Sequence, residues 1–325
     1  MKKQEVFIKV YHGFGHAHNM IVFGHVFEQK ERKSTTYSNN PLINAFHLLR
    51  FFFVRPISGI AVQMNWYGTK LDTQTEYDGF FKFQWTSHIA TNAGWHPVTV
   101  ICPGSQGNPI AKGSGEIFIP HITQFGFISD IDDTIMVSHS LTVWRRLKEI
   151  LFRNPHSRTL FKEVSDYYRL LAHAHTSPEA PNPFFYISSS EWNLYDYLRD
   201  IFLHNKLPDG AFLLNQVKKW YQVVQTGKTK HEGKVLRIVR VLDAFPNQRF
   251  VLFGDNSQKD PAIYELLSQK YSTQIFAVYI RNVHTANTNE ATNLLKLMES
   301  RGLHTCLFKE SEEAMKHSRS IGLLT

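Results

Sequence analysis

The stretch Phe127-Ile128-Ser129-Asp130-Ile131-Asp132-Asp133-Thr134-Ile135 joins a short apolar run to three carboxylates and a threonine. Apolar runs of this length bounded by polar residues read as buried parallel strands. Asp130 and Asp132 stand two residues apart, so in extended chain both project to the same side. Carboxylates held that close repel each other unless positive charge lies between them. A hard dication such as Mg²⁺ meets that need with few protein ligands. An acidic turn capping the next helix is the plainer reading, because Asp and Thr are good N-caps. The stretch alone leaves both open.

The chain of 325 residues has the length of two domains or one large one, and 42% hydrophobic residues suffice for a substantial core. Its two cysteines, Cys102 and Cys306, fall in different halves. They suggest no disulfide framework, and a reducing, cytoplasmic setting is expected. No apolar run follows the basic opening Met1-Lys2-Lys3, so no signal peptide is expected. No uncharged apolar run approaches the ~18 residues of a membrane span. A formal net charge of +8 favours acidic partners: phosphates, anionic lipid or nucleic acid.

Residues 1–121 read as an all-β domain. Short β-rich runs cover 6–10, 20–27, 59–66, 80–85, 95–101 and 116–119, with turn signals such as Tyr67-Gly68, Asp78-Gly79 and Asn92-Ala93-Gly94 between them. That spacing predicts a small sandwich, with the polar segment 30–40 as a loop. His12, His16 and His18 surround Gly13-Phe14-Gly15, either as metal ligands or as a polar, Gly-bent turn. Leu48-Leu49-Arg50-Phe51-Phe52-Phe53-Val54-Arg55 suits contact with an anionic membrane surface, or a buried strand or domain interface.

From residue 122 to 325, apolar runs alternate with helical segments, the signature of an α/β domain with a parallel sheet. Strands are predicted at 125–129, 184–188, 211–214, 249–255, 274–280 and 305–308. Helices are predicted at 141–152, 159–172, 191–204, 234–244 and 311–320, with another opening at Asp260-Pro261. The second strand runs into Ser188-Ser189-Ser190, which can hold a phosphate oxygen or cap a helix. The fourth ends in Gly254-Asp255. In open α/β sheets, ligands bind at the carboxyl ends of strands, where Asp130, Asp132, Ser188 and Asp255 all fall.

Taken together, Asp130-Ile131-Asp132-Asp133-Thr134, Ser188, Lys234 and Gly254-Asp255-Asn256-Ser257-Gln258-Lys259-Asp260 resemble the four motifs of the haloacid dehalogenase superfamily. More closely, the opening stretch, Tyr186-Ile187-Ser188-Ser189-Ser190-Glu191-Trp192-Asn193-Leu194-Tyr195 and Phe245-Pro246 resemble the phosphatidate phosphatase catalytic-domain family of actin-patch-associated proteins and many bacteria. The resemblance covers about residue 126 to the C-terminus well and the β-rich front half more loosely.

It implies a Rossmann-like parallel sheet flanked by helices, and a Mg²⁺-dependent phosphatase. Asp130 would be the nucleophile, forming an aspartyl-phosphate, and Asp132 would protonate the leaving alcohol and later activate water. Asp130, the carbonyl of Asp132, and Asp255 would hold Mg²⁺, supported by Asp260. Ser188, Ser189 and Lys234 would bind phosphoryl oxygens, with Lys228 and Lys230 as alternatives to Lys234. Residues 136–183 would form a small lid with Trp144, Arg145 and Arg146 near its entrance, or would only cover the sheet edge.

Three departures from the family pattern put substrate identity in doubt: Glu191 in place of Pro, Asn215-Gln216 in place of Arg-Asp, and His231 separated from Lys234 by two residues. The expected partner is a phosphorylated substrate, phosphatidate first, with peripheral contact to anionic phospholipid; nucleic acid is not expected as a partner. Other readings are a phosphatase of a soluble metabolite or nucleic-acid end, and a non-catalytic module that binds a membrane or partner.

Overall fold

The computed structural model describes residues 6–28, 55–104, 108–121, 124–136, 160–215 and 230–325. The first part is one hydrogen-bonded sheet of β1 (Phe7–Val10), β2 (Gly13–Phe14), β3 (Met20–Phe27), β4 (Ala61–Trp66), β5 (Thr69–Gln74), β6 (Phe80–Trp85), β7 (Gly94–Cys102) and β8 (Ala111–Ile119). Its order is β1-β3-β2-β8-β7-β4-β5, with β6 paired to the other side of β3. All pairs are antiparallel except β2 with β8. Two strands differ from the sequence expectation. Gly13-Phe14, read as part of a turn, is a short strand wedged between β3 and β8. β5 is polar and largely exposed, so it lacks the apolar run that marks a strand.

The second part is a six-stranded parallel sheet of β9 (Phe125–Asp130), β10 (Phe184–Glu191), β11 (Ala211–Asn215), β12 (Arg249–Asp255), β13 (Ile275–Arg281) and β14 (His304–Phe308). Around it lie α1 (Val164–Ala172), α2 (Tyr195–His204), α3 (Lys230–Ala244), α4 (Asp260–Lys270), α5 (Thr288–Glu299) and α6 (Ser311–Ser320). The order β11-β10-β9-β12-β13-β14 is that of doubly wound sheets, which open a crevice where strand order reverses, here between β9 and β12. Phe127, Ile128, Val251, Leu252, Ala277 and Val278 are fully buried, as strands covered on both faces require. β10 continues three residues past the expected end, because Glu191 pairs with Asn215 after a register shift. The segment after it starts as a 3₁₀ turn, Trp192–Leu194, and becomes α-helical only at Tyr195. Among the described residues no helix is long and apolar enough to cross a membrane.

β3 ties the two parts together. Its side chains alternate between faces. Val22 and Val26 enter the core of the first sheet, and Ile21 and Phe23 enter the core of the second. Across the junction Tyr11 stacks on Trp192 with ring centroids 4.2 Å apart, and Phe14 meets Phe185 at 5.2 Å and Phe245 at 6.0 Å. Tyr11 also pairs with buried His25, whose imidazole burial pushes down to about 3 and so keeps neutral. Asn19 donates to the Asp243 carbonyl at 3.3 Å, and His12 pairs with the Gly210 carbonyl at 3.1 Å.

Phe14 is fully buried between the two parts. Phe14→Ala should therefore cost about 3–5 kcal/mol of unfolding free energy, read by denaturant titration of the full chain. A loss under about 1 kcal/mol would mean that the junction is not a packed core.

Candidate active site

Strand register brings the acidic and hydroxyl residues to one edge of the parallel sheet. Ile187 of β10 lies beside Asp130, and Phe253 of β12 lies beside Ser129, so Asp130, Ser188 and Asp255 emerge together. After Asp130 the chain turns sharply. The Asp133 N–H donates to the Met136 carbonyl at 2.9 Å, and the Ile135 and Met136 N–H groups both reach the Ile131 carbonyl at 3.1 Å. Asp133 takes the left-handed conformation this turn needs, with φ of 59°, which Asp tolerates better than most residues. The turn sets Asp132 against Ser188, whose hydroxyl donates to Asp132 Oδ2 at 3.0 Å.

Lys234 lies one turn inside α3 rather than at its start. Its ammonium donates to Asp130 Oδ1 at 2.6 Å and to Asp260 Oδ1. The other oxygen of Asp260 accepts the Asp255 N–H at 3.3 Å. This approach depends on glycine at 254, because a Cβ there would meet Asp260 Oδ2 at 2.6 Å. Asp255 Oδ1 accepts N–H groups from Ser257 at 2.6 Å and Gln258 at 3.3 Å.

Among the described residues these contacts leave Asp130 Oδ2 and Asp255 Oδ2 buried with no hydrogen-bond partner. Carboxylate oxygens of Asp130, Asp255 and Asp260 lie within 4.8 Å of one another. Burial pushes Asp130 well above the ordinary carboxylate range against the pull of Lys234. Burial, and then the charge of Asp260, push Asp255 from its ordinary 3.8 up to about 7. Burial opposes the Lys234 charge as well, yet Asp130 and Asp260 together hold its ammonium above its ordinary range. The arrangement has more buried carboxylate than one ammonium neutralises. Its orphaned oxygens and all-oxygen donor set fit a hard dication.

The structure thus brings together Asp130, Lys234, Asp255 and Asp260, and beside them Asp132 with Ser188. The Asp132 side chain faces Ser188 and is not part of the three-carboxylate group. Ser189 contributes its backbone: its carbonyl accepts from Asn215 Nδ2 at 2.9 Å. Asp133 meets Ser257 Oγ at 3.4 Å. Ser188 does not cap a helix, as one reading of the sequence had it, because it lies within a strand; its Oγ accepts the Ser190 N–H at 3.0 Å. Lys228, the Lys230 side chain, the segment 30–40, residues 48–54 and the lid residues Trp144, Arg145 and Arg146 lie outside the described residues. His12 is a junction residue rather than part of a histidine cluster, and the His16 and His18 rings stand 6.3 Å apart.

Sequence reading missed Arg281, which is 1% exposed and closes β13. It donates from Nε to the Thr134 carbonyl at 3.0 Å, from Nη1 to the Lys309 carbonyl at 2.8 Å and from Nη2 to Ser311 Oγ at 3.1 Å. It thereby holds the turn that carries Asp132. Asn256, also missed, accepts the Val283 and His284 N–H groups at 2.9 and 2.8 Å and joins the ends of β12 and β13. A lone Arg at a strand end carries no motif signal, whereas Asn256 directly follows Gly254-Asp255 and could have been flagged by position.

Phosphatidate phosphatase APP1 of Saccharomyces cerevisiae is 27% identical over 188 residues, covering 54% of this chain and 30% of that protein. An uncharacterized protein of Schizosaccharomyces pombe is 23% identical over 158 residues, covering 48% of this chain and 25% of that protein. The chain thus spans less than a third of the length of either relative. Among solved structures, a carbohydrate acetylesterase from Xanthomonas citri overlaps 88% of this chain and 71% of its own at 11% identity, with a TM-score of 0.28, too loose to define a common fold. Residues 125–282 match the family described as phosphatidate phosphatase APP1, catalytic domain.

Proposed function

We propose that this protein is a Mg²⁺-dependent phosphatase that hydrolyses a phosphomonoester, phosphatidate first among candidates, through an aspartyl-phosphate on Asp130. The observation that carries this reading is the convergence of Asp130, Lys234, Asp255 and Asp260 at the switch point of a segment matching a phosphatidate phosphatase catalytic domain. In this reading the parallel unit, 122–325, is of haloacid dehalogenase type, and residues 1–121 form a sandwich-like unit before it. The chain works in the cytoplasm and meets its lipid at the membrane surface.

Asp130, Asp255 and the Asp132 carbonyl would hold Mg²⁺, which when bound screens carboxylate from phosphate and stabilises charge on the phosphoryl oxygens. The Asp130 carboxylate attacks phosphorus in line with the leaving oxygen, and the P–O bond to the alcohol breaks. Asp132 gives its proton to that oxygen, and diacylglycerol leaves when the substrate is phosphatidate. Asp132 then takes a proton from water. The water oxygen bonds to phosphorus, and the Asp130–phosphorus bond breaks to release orthophosphate. Ser188 orients Asp132 through the 3.0 Å hydrogen bond. Lys234 aims Asp130 and opposes the protonation that burial favours, and Asp260 keeps Lys234 in place.

Asp130→Asn should lower phosphate release from short-chain phosphatidate and p-nitrophenyl phosphate by about a thousandfold or more, since the mutant lacks its nucleophile. Release confined to soluble esters would keep the mechanism and remove the lipid. Undiminished release by the mutant would remove Asp130 as nucleophile.

A second expectation concerns pH. Asp255 binds its proton more tightly folded than unfolded, so between 3.8 and about 7 the native state holds more protons. Its contribution to stability therefore falls as pH rises through that window. Chelator-treated protein should melt at progressively lower temperature from acidic toward neutral pH, Asp255→Asn should flatten the trend, and added Mg²⁺ should reverse it. An unchanged profile in the variant would show that Asp255 is not the charge responsible.

A further inference from the structure

Lys234 is heavily committed: two of its three ammonium protons go to Asp130 and Asp260. A phosphoryl group entering the site brings more negative charge than the remaining proton can meet. A second cation stands close by. Arg237 follows Lys234 by three residues on α3, so both side chains leave the same face of the helix. Its Nη1 donates to Asn215 Oδ1 at 2.5 Å. Asn215 ends β11, beside the C-terminal end of β10, and in turn donates to the Ser189 carbonyl at 2.9 Å. The guanidinium is thus pinned between α3 and the C-terminal end of β10, and it feels the Asp130 carboxylate across the site.

Among the described residues no carboxylate pairs with Arg237, and its Nε is buried with no hydrogen-bond partner. Burial pulls its guanidinium down to about 10. A desolvated cation with one neutral partner is costly unless an anion completes it. A guanidinium held by one Nη and with Nε unused presents donors in a plane that matches two phosphate oxygens.

We propose that Arg237 is a phosphoryl-oxygen ligand of this site, an assignment that rests on the phosphatase reading above. Arg237 takes oxygens on the Ser189 side while Lys234 keeps the nucleophile in place. Asn215 holds the guanidinium in position by fixing its orientation.

The test is calorimetric titration of the full chain with inorganic phosphate in the presence of Mg²⁺. Arg237→Met should weaken phosphate binding about tenfold or more, the usual worth of a charged hydrogen-bond pair. KM for p-nitrophenyl phosphate should rise in parallel, with kcat changed less. Arg237→Lys, which keeps the charge and loses the planar fork, should fall between the two. Phosphate affinity of a folded Arg237→Met protein within about twofold of wild type would overturn the assignment. Should that variant fail to fold, Arg237→Lys decides: an unchanged affinity overturns the assignment and a loss of about threefold or more supports it. A wild-type chain that binds phosphate through Arg237 yet cleaves no ester would overturn the phosphatase reading alone. Hydrolysis by wild type that Arg237→Met leaves untouched, in both KM and phosphate affinity, would overturn this assignment alone.

Discussion

The buried contact of the Lys234 ammonium with Asp130 and Asp260 is the constraint on which the site depends. Each carboxylate comes from a different element: Asp130 from the end of β9, Asp260 from the start of α4. Burying these charges is affordable only because they are paired, and the pairing requires α3, β9 and α4 to arrive in one geometry. Gly254 follows from the same constraint, since no side chain fits where Asp260 folds back over β12. The pairing stays incomplete. Among the described residues Asp130 Oδ2 and Asp255 Oδ2 remain unpartnered, so the buried carboxylates outnumber the one ammonium that meets them. That excess would favour a bound dication, and the burial that raises the Asp130 and Asp255 proton affinities would strengthen the attraction to such an ion.

The front sheet is structurally involved in the site at one remove. Trp192 comes immediately after the strand that carries Ser188, and it packs against Tyr11, Phe23 and Phe80 of the first sheet. The serine-bearing end of β10 therefore leads directly into a residue packed on aromatic rings from the first sheet. Arg281 performs the matching task for the opposite wall by tying the Asp132 turn to the segment between β14 and α6. Both walls of the candidate site are thus braced by residues outside the carboxylate cluster.

Much of this was legible in the chain because parallel strands leave a strong trace. β9, β12 and β13 are short apolar runs ending in polar residues, and their placement follows from that pattern alone. β2 and β5 were not legible. One is only two residues long, Gly13-Phe14, and the other is polar and largely exposed, so pairing partners rather than local preference make them strands. The extension of β10 through Glu191 has the same origin, since β11 supplies the bond that keeps Ser188 out of a helix cap.

By itself the sequence determined the chemical inventory: carboxylates after the first and fourth strands of the parallel sheet, hydroxyls after the second, and a lysine on the helix between. Strand periodicity and motif spacing are local properties, and they survive without knowledge of neighbours. Only the tertiary structure decided who meets whom. Lys234 turns toward Asp130 and Asp260, Asp132 turns toward Ser188, and Arg237 is pinned by Asn215, contacts between residues from 22 to 104 positions apart. These pairings are set by strand register and helix packing, and by the rule that buried charge must find a partner, none of which is encoded at any single position.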